Sequence, residues 1–170
     1  MAEFLSSLSA RSRTRWNLES YDIAMAREHC AAIGRYDKLR MIAVTNVNGS
    51  RKIVALMELS FSIPPSDQAR FRSYGISLDE TFDCRFAPCV RDEFQRTGIA
   101  SELFSFIVDI ARRFGKRRIL LWGGVFADNI PAISFYRKQG FIEVGECTSQ
   151  SSTNSFDFIL TLPGAFEDEQ

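Results

Sequence analysis

The sequence predicts a mixed α/β fold of the α+β kind: a central, mostly antiparallel sheet with helices on both faces and one splayed parallel strand pair. Three observations predict it. Two β-rich runs, 41–47 and 53–61, flank an Asn48-Gly49 turn signal and read as an antiparallel hairpin. A strand–helix–strand unit follows over 81–126, and its strands should be parallel with a right-handed crossover. Two further strand-like runs, "FIEVGEC" and "FDFILTL", come near the end of the chain.

The elements follow in order. Phe4, Leu5 and Leu8 recur at helical spacing, so residues 3–9 form a short helix. Arg11, Arg13 and Arg15 alternate in "RSRTRW", which reads as a solvated basic connecting segment. Residues 20–34 place Ile23, Ala26, Cys30 and Ile33 on one helical stripe, with Ser20 as its cap and Gly34 as its stop. Beyond the hairpin, 62–81 hold Pro64-Pro65, Ser66, Asp67, Ser73 and Gly75 and read as a mobile excursion. "TFDCRFAPCV" (81–90) is a strand whose Pro88 implies an edge or a bulge.

A long helix over 98–114 puts Ala100, Leu103, Phe104, Ile107, Ala111 and Phe114 on its apolar face, and Gly115 stops it. "RILLWGGVF" (118–126) is nearly all apolar, as a strand covered on both faces should be, with Gly123-Gly124 interrupting it. The last helix lies in 128–140, with Asn129 as N-cap, Pro131 in its first turn and Gly140 after its end.

Length predicts one domain over 1–170. A hydrophobic share of 45%, a charged share of 25% and zero formal net charge describe a globular chain, and argue against a coat for nucleic acid or for an anionic membrane. Cysteines at 30, 84, 89 and 147 form no C-x-x-C pair, and His29 is the single histidine, so no metal is expected. The cysteines read as buried thiols in a reducing compartment, and no segment reads as a signal peptide or a membrane span. A cytoplasmic location is the expectation.

Function is carried by Gln95-Arg96-Thr97-Gly98-Ile99-Ala100. A helix N-terminus presents unpaired N–H groups and partial positive charge. Gly98 allows close approach to the backbone, and Arg96 adds a formal charge, so the segment is a candidate pyrophosphate cradle. Three features point to the same end of the sheet. Pro88 frees backbone groups near Cys89 and Val90, Gly123-Gly124 weakens the neighbouring strand, and the helix after it opens there at Asn129.

The stretch from Val90 to Glu146 resembles the core of the GCN5-related N-acetyltransferases (GNAT). Gln95-Arg96-x-Gly98-x-Ala100 is similar to that family's pyrophosphate loop, and Asn129-x-x-Ala132-x-x-Phe135-Tyr136-x-x-x-Gly140-Phe141 is similar to its second motif. The likeness covers roughly 82–146, the expected acyl-CoA-binding core. It implies a GNAT-like acyl-CoA N-acyltransferase fold, with acetyl-CoA or another acyl-CoA as donor. It also implies that Cys89 and Val90 pair with the pantetheine arm through their backbones. By the same likeness, Gln95 belongs to the loop, Arg96, Thr97, Gly98, Ile99, Ala100 and Ser101 hold the pyrophosphate, and Asn129 meets the pantetheine arm.

"FLSSLSARSRTRW" and "YDKLRMIAV" more loosely resemble the acetyltransferase domain of bacterial protein-lysine acetyltransferases. Two departures stand out. The first strand of the family has no counterpart before "FLSSLS", and the sheet edge so exposed would invite a homodimer. The strand position where that subgroup carries a glutamate is Arg85.

The reading is acetyl transfer to a primary amine, of a protein lysine or a small molecule, by direct attack. The resemblance places Tyr136 beside the thioester sulfur, and a phenol of ordinary pKa near 10 is protonated at neutral pH and able to supply the thiolate's proton. Asp83 and Glu58 are the candidate bases, with a water relay as the alternative. Cys84 and Cys89 lack a histidine to activate them. A non-catalytic acyl-CoA-binding module is the rival. Acceptor determinants are expected in 10–20 and 62–81.

Overall fold

Asn48 and Gly49 both take left-handed backbone angles, φ 50° and 78°, as the turn joining a two-residue hairpin requires. They link β1 (Lys38–Val47) to β2 (Ser50–Ser60). The structure is a computed structural model and describes residues 1–32, 38–148 and 154–162. The expected stop at Gly34 and the acidic residues 167–169 lie outside these.

Before the hairpin come α1 (Ala2–Ser7), α2 (Ala10–Trp16) and α3 (Ile23–Ala31). After it come α4 (Pro65–Ser73), β3 (Asp83–Val90), a 3-10 turn (Asp92–Phe94), α5 (Ile99–Arg113), β4 (Arg118–Leu121) and β5 (Val125–Phe126). The chain then forms α6 (Ile130–Lys138), β6 (Ile142–Thr148) and β7 (Asn154–Thr161). The seven strands form one sheet in the order β1-β2-β3-β4-β7-β5, with β6 also on β7. β3 and β4 are parallel, with Asp83 opposite Arg118 and Phe86 opposite Leu121. β4, β5 and β6 all run antiparallel to β7. The mixed, mostly antiparallel sheet with its parallel pair is as the sequence predicts.

The chain forms two compact units, 1–58 with 88–104, and 59–87 with 105–170. In the first, Phe4, Leu5, Leu8, Ala26, Leu56 and Cys89 make the core. The "RSRTRW" segment is a helix, not a connecting stretch. Ser9 caps α2 by accepting from the Ser12 N–H at 3.2 Å, and left-handed Asn17 ends it. Arg13 is not solvated as alternation suggested: its guanidinium donates to the carbonyls of Leu8 (2.9 Å) and Ser6 (2.8 Å). α3 is capped by Asp22, not Ser20, and Asp22 Oδ1 takes the Met25 N–H at 3.0 Å. Its buried stripe is Ala26 and His29, whereas Ile23 is 58% exposed.

In the second unit, the stretch expected as an irregular excursion contains α4. That helix buries Asp67 and Phe71, so half of its inner face is charged and apolar periodicity could not reveal it. Phe71, Ile63, Leu120 and Ile159 form the core there, with Tyr74, Ile76, Leu78 and Val144 around them. Phe114, expected on the buried face of α5, is 56% exposed and stacks on Phe61 at 4.8 Å. The 118–126 run is two strands, because Gly123 and Gly124 both sit at φ 75°.

β6 carries a bulge between Glu143 and Gly145, and a Cβ on Gly145 would lie 2.4 Å from the Tyr74 ring. Tyr74 lies against this bare backbone so that its hydroxyl reaches the Glu146 carbonyl (2.9 Å) and Asp157 Oδ2 (3.0 Å). Gly145→Ala should displace the ring and cost about 1–3 kcal/mol. Chemical denaturation measures it, and an unchanged midpoint would show that the ring is not held there.

Candidate functional site

In the first unit the candidate cradle is a strained loop. Arg96 has φ 62° and Gly98 φ 93°. The other non-glycine residues at positive φ among those described are Asn17 and Asn48, whose side chains suit that region; arginine has no such excuse and costs about 1–2 kcal/mol. Strain kept at an exposed residue is a mark of function. A Cβ on Gly98 would meet nothing within 4 Å, so the loop is open on its outer side. α5 begins at Ile99, and the N–H groups of Ser101 and Glu102 both reach the Gly98 carbonyl, at 3.0 and 3.1 Å. The N–H groups before them are those a helix leaves for a ligand.

The loop is braced from α2. Gln95 Nε2 donates to the Val90 carbonyl (3.0 Å) and to Ser12 Oγ (3.2 Å). Asp92 accepts from the Ser9 N–H (2.9 Å), Ser9 Oγ (2.7 Å) and Ser12 Oγ (2.8 Å). Partial desolvation works against ionisation of Asp92, but these hydrogen bonds outweigh it and hold the carboxyl below its usual range. Val90, expected to offer its backbone to a ligand, thus has its carbonyl engaged by Gln95. Cys89 is buried, and desolvation pushes its thiol up to about 12; burial does the same to Cys84. Neither is a nucleophile at neutral pH.

In the second unit the β3–β4 ladder ends where the Trp122 N–H meets the Phe86 carbonyl at 3.0 Å, and the glycine pair follows. Asn129 holds the N-cap position of α6, yet its side chain makes no capping bond; its carbonyl accepts from the Ile133 N–H at 3.0 Å. Tyr136 is buried among the rings of Phe135 (5.1 Å), Phe141 (5.4 Å) and Phe158 (6.4 Å).

Both candidate bases are held by arginines. Asp83, fully buried, accepts from Arg118 Nε (2.6 Å) and Nη2 (2.7 Å) and from the Asp79 N–H (2.7 Å). In the first unit, Glu58 Oε1 pairs with Arg40 Nε. Arg85 is no replacement for a base. It is 7% exposed, donates to the Ser62 carbonyl (2.9 Å), Asp67 Oδ2 (3.1 Å) and Ser60 Oγ (3.2 Å), and lies 4.2 Å over the Trp122 ring.

Sequence reasoning missed a polar cluster built on α4 and β7. Asp67 also pairs with Arg70 Nη1 (2.9 Å), and Arg70 Nε with Asp157 Oδ2 (2.7 Å). Burial, with Asp157 beside it, pushes the Cys147 thiol up to about 11. The available signal was a lone aspartate inside the apolar run "FDFILTL".

Strand order and the interrupted parallel pair define the class of fold, that of the GNAT proteins. A sequence model described as the acetyltransferase (GNAT) family matches residues 86–141, about a third of the chain. Among solved structures, the GNAT domain of S. lividans PAT is similar at 17% identity and a TM-score of 0.69, over 95% of this chain and 82% of that one. Spermidine N-acetyltransferase from Vibrio cholerae, in complex with CoA and spermine, is similar at 16% identity and a TM-score of 0.67, over 96% and 89%. The smu.2055 protein of Streptococcus mutans is similar at 18% identity and a TM-score of 0.63, over 95% and 90%. At these identities the likeness is one of fold. Among the described residues no helix is long and apolar enough to cross a membrane, and no group of His, Cys, Asp or Glu is placed to hold a metal.

Proposed function

We propose that the chain transfers an acetyl group from acetyl-CoA to a primary amine by direct attack. The observation that carries this is the left-handed Arg96–Gly98 turn opening α5, inside the segment that matches the family. Arg96, Thr97, Gly98, Ile99, Ala100 and Ser101 hold the pyrophosphate, with Gln95 fixing the loop from behind. Cys89, Val90 and Asn129 take the pantetheine arm, and Tyr136 returns a proton to the departing thiolate. The V. cholerae relative, solved with CoA and spermine, supports a small amine acceptor; a protein lysine is the other acceptor class, on the looser resemblance of the N-terminal segments to bacterial protein-lysine acetyltransferases. Work in the cytoplasm fits this co-substrate.

Calorimetric titration with acetyl-CoA tests the donor. The wild-type chain should bind, and Gly98→Val should bind at least about tenfold more weakly. A branched Cβ fills the open side of the turn and resists φ 93° there. No heat and no thermal shift with the wild-type chain would sink the donor assignment. Binding without transfer to any amine or protein would favour an acyl-CoA-sensing module.

A further inference from the structure

Among the described residues four acidic side chains are buried: Glu58, Asp67, Asp83 and Asp157. Both oxygens of Asp83 and of Asp67 are taken by arginines, and Glu58 is paired with Arg40. Asp157 differs. Its Oδ2 accepts from Arg70 Nε (2.7 Å) and Tyr74 Oη (3.0 Å), which anchor the carboxylate. Its Oδ1 has no hydrogen-bond partner, although the residue is 0% exposed. Two other buried atoms are left without one, Ser155 Oγ and Arg70 Nη2. Ser155 lies two residues along β7, on the same face.

Gly124 bounds this corner. A Cβ there would lie 3.4 Å from Asp157 Oδ1, 3.4 Å from Ser155 Cβ and 3.1 Å from the Phe156 carbonyl. Gly124 thus lies directly against the free carboxylate oxygen, where any side chain would crowd it. A buried acceptor without a donor is costly, and it persists where a ligand brings the donor.

We propose that Asp157 is the catalytic residue that meets the acceptor amine, its Oδ1 receiving an amine N–H and Ser155 Oγ orienting the nitrogen. This rests on the amine acetyl transfer proposed above. The neutral amine attacks the thioester carbonyl carbon, a C–N bond forms and the C–S bond breaks. One amine proton passes to Asp157 Oδ1, and the CoA thiolate takes the Tyr136 proton; solvent then returns each group to its starting state. The strand places the two groups suitably. Phe158, next to Asp157, packs against Tyr136, and adjacent strand residues point to opposite faces. Proton acceptor and proton donor therefore belong to opposite faces of β7, with the Phe158 ring between the strand and Tyr136.

The test uses the full chain with acetyl-CoA as donor and propylamine, 1,4-diaminobutane and Nα-acetyl-lysine methyl ester as acceptors. Asp157→Asn should lower kcat at least about a hundredfold, while the calorimetric Kd for CoA stays within about twofold of wild type. Ser155→Ala should raise the amine KM about fivefold and leave the acetyl-CoA KM unchanged. A folded Asp157→Asn variant with kcat within about threefold of wild type overturns the assignment. Should that variant fail to fold, Ser155→Ala decides, and wild-type amine KM in it overturns the assignment too. A wild-type chain that binds no CoA instead overturns the transferase reading, and this assignment with it.

Discussion

Arg85→Met should lower the unfolding free energy by about 3–5 kcal/mol and the midpoint of thermal unfolding by roughly 10 °C. The guanidinium is buried, lies over Trp122 and donates to Ser60, Ser62 and Asp67. Methionine fills part of the volume but leaves the Ser62 carbonyl and one Asp67 oxygen in the interior without a donor. Burial alone would disfavour the charge and pulls the Arg85 pKa down, while Asp67 opposes that shift. Both the Coulomb attraction of Asp67 and its hydrogen bond thus favour the charged guanidinium against burial. If stranded polar groups cause the loss, Asp67→Leu added to Arg85→Met should recover part of it, since two matched apolar side chains strand fewer of them. A loss below about 1 kcal/mol for Arg85→Met would show that Asp67, still paired with Arg70, needs no second arginine. The large loss would make Arg85 a brace of the interior and not part of the chemistry.

Tyr136→Phe should lower kcat by about tenfold or more, with little change in the KM for acetyl-CoA or in stability. The phenylalanine keeps the ring that packs against Phe135, Phe141 and Phe158, so removal of the hydroxyl is the main change. An effect confined to kcat separates proton donation from packing. Steady-state kinetics on the best acceptor measure it, and wild-type turnover would remove Tyr136 from the mechanism. A loss of stability without a fall in kcat would make the hydroxyl part of the core.

Where the prediction was good, a local signal carried it. Asn48-Gly49 makes a hairpin turn because both residues tolerate positive φ. The apolar face of α5 repeats at helical period, with Phe104, Ile107 and Ala111 all buried. The errors share a cause as well. Alternating arginines suggested solvent, yet Arg13 turns inward to two carbonyls at the end of α1. A polar stretch suggested a loop, yet α4 turns Asp67 inward to an arginine on a strand 18 residues away. Ile23 suggested a buried stripe that packing places on Ala26 and His29.

Periodicity and turn chemistry, both properties of neighbouring residues, were enough for the sheet and the hairpin. They could not rank the carboxylates. Asp83, Glu58 and Asp157 each look alike as an acid in a strand, and their partners come from distant segments. Only folding shows that Arg118 closes both oxygens of Asp83, that Arg40 meets Glu58, and that Asp157 keeps Oδ1 free beside Gly124. The physical reason is that a buried charge is governed by whichever donors surround it in three dimensions, and chain order does not record them.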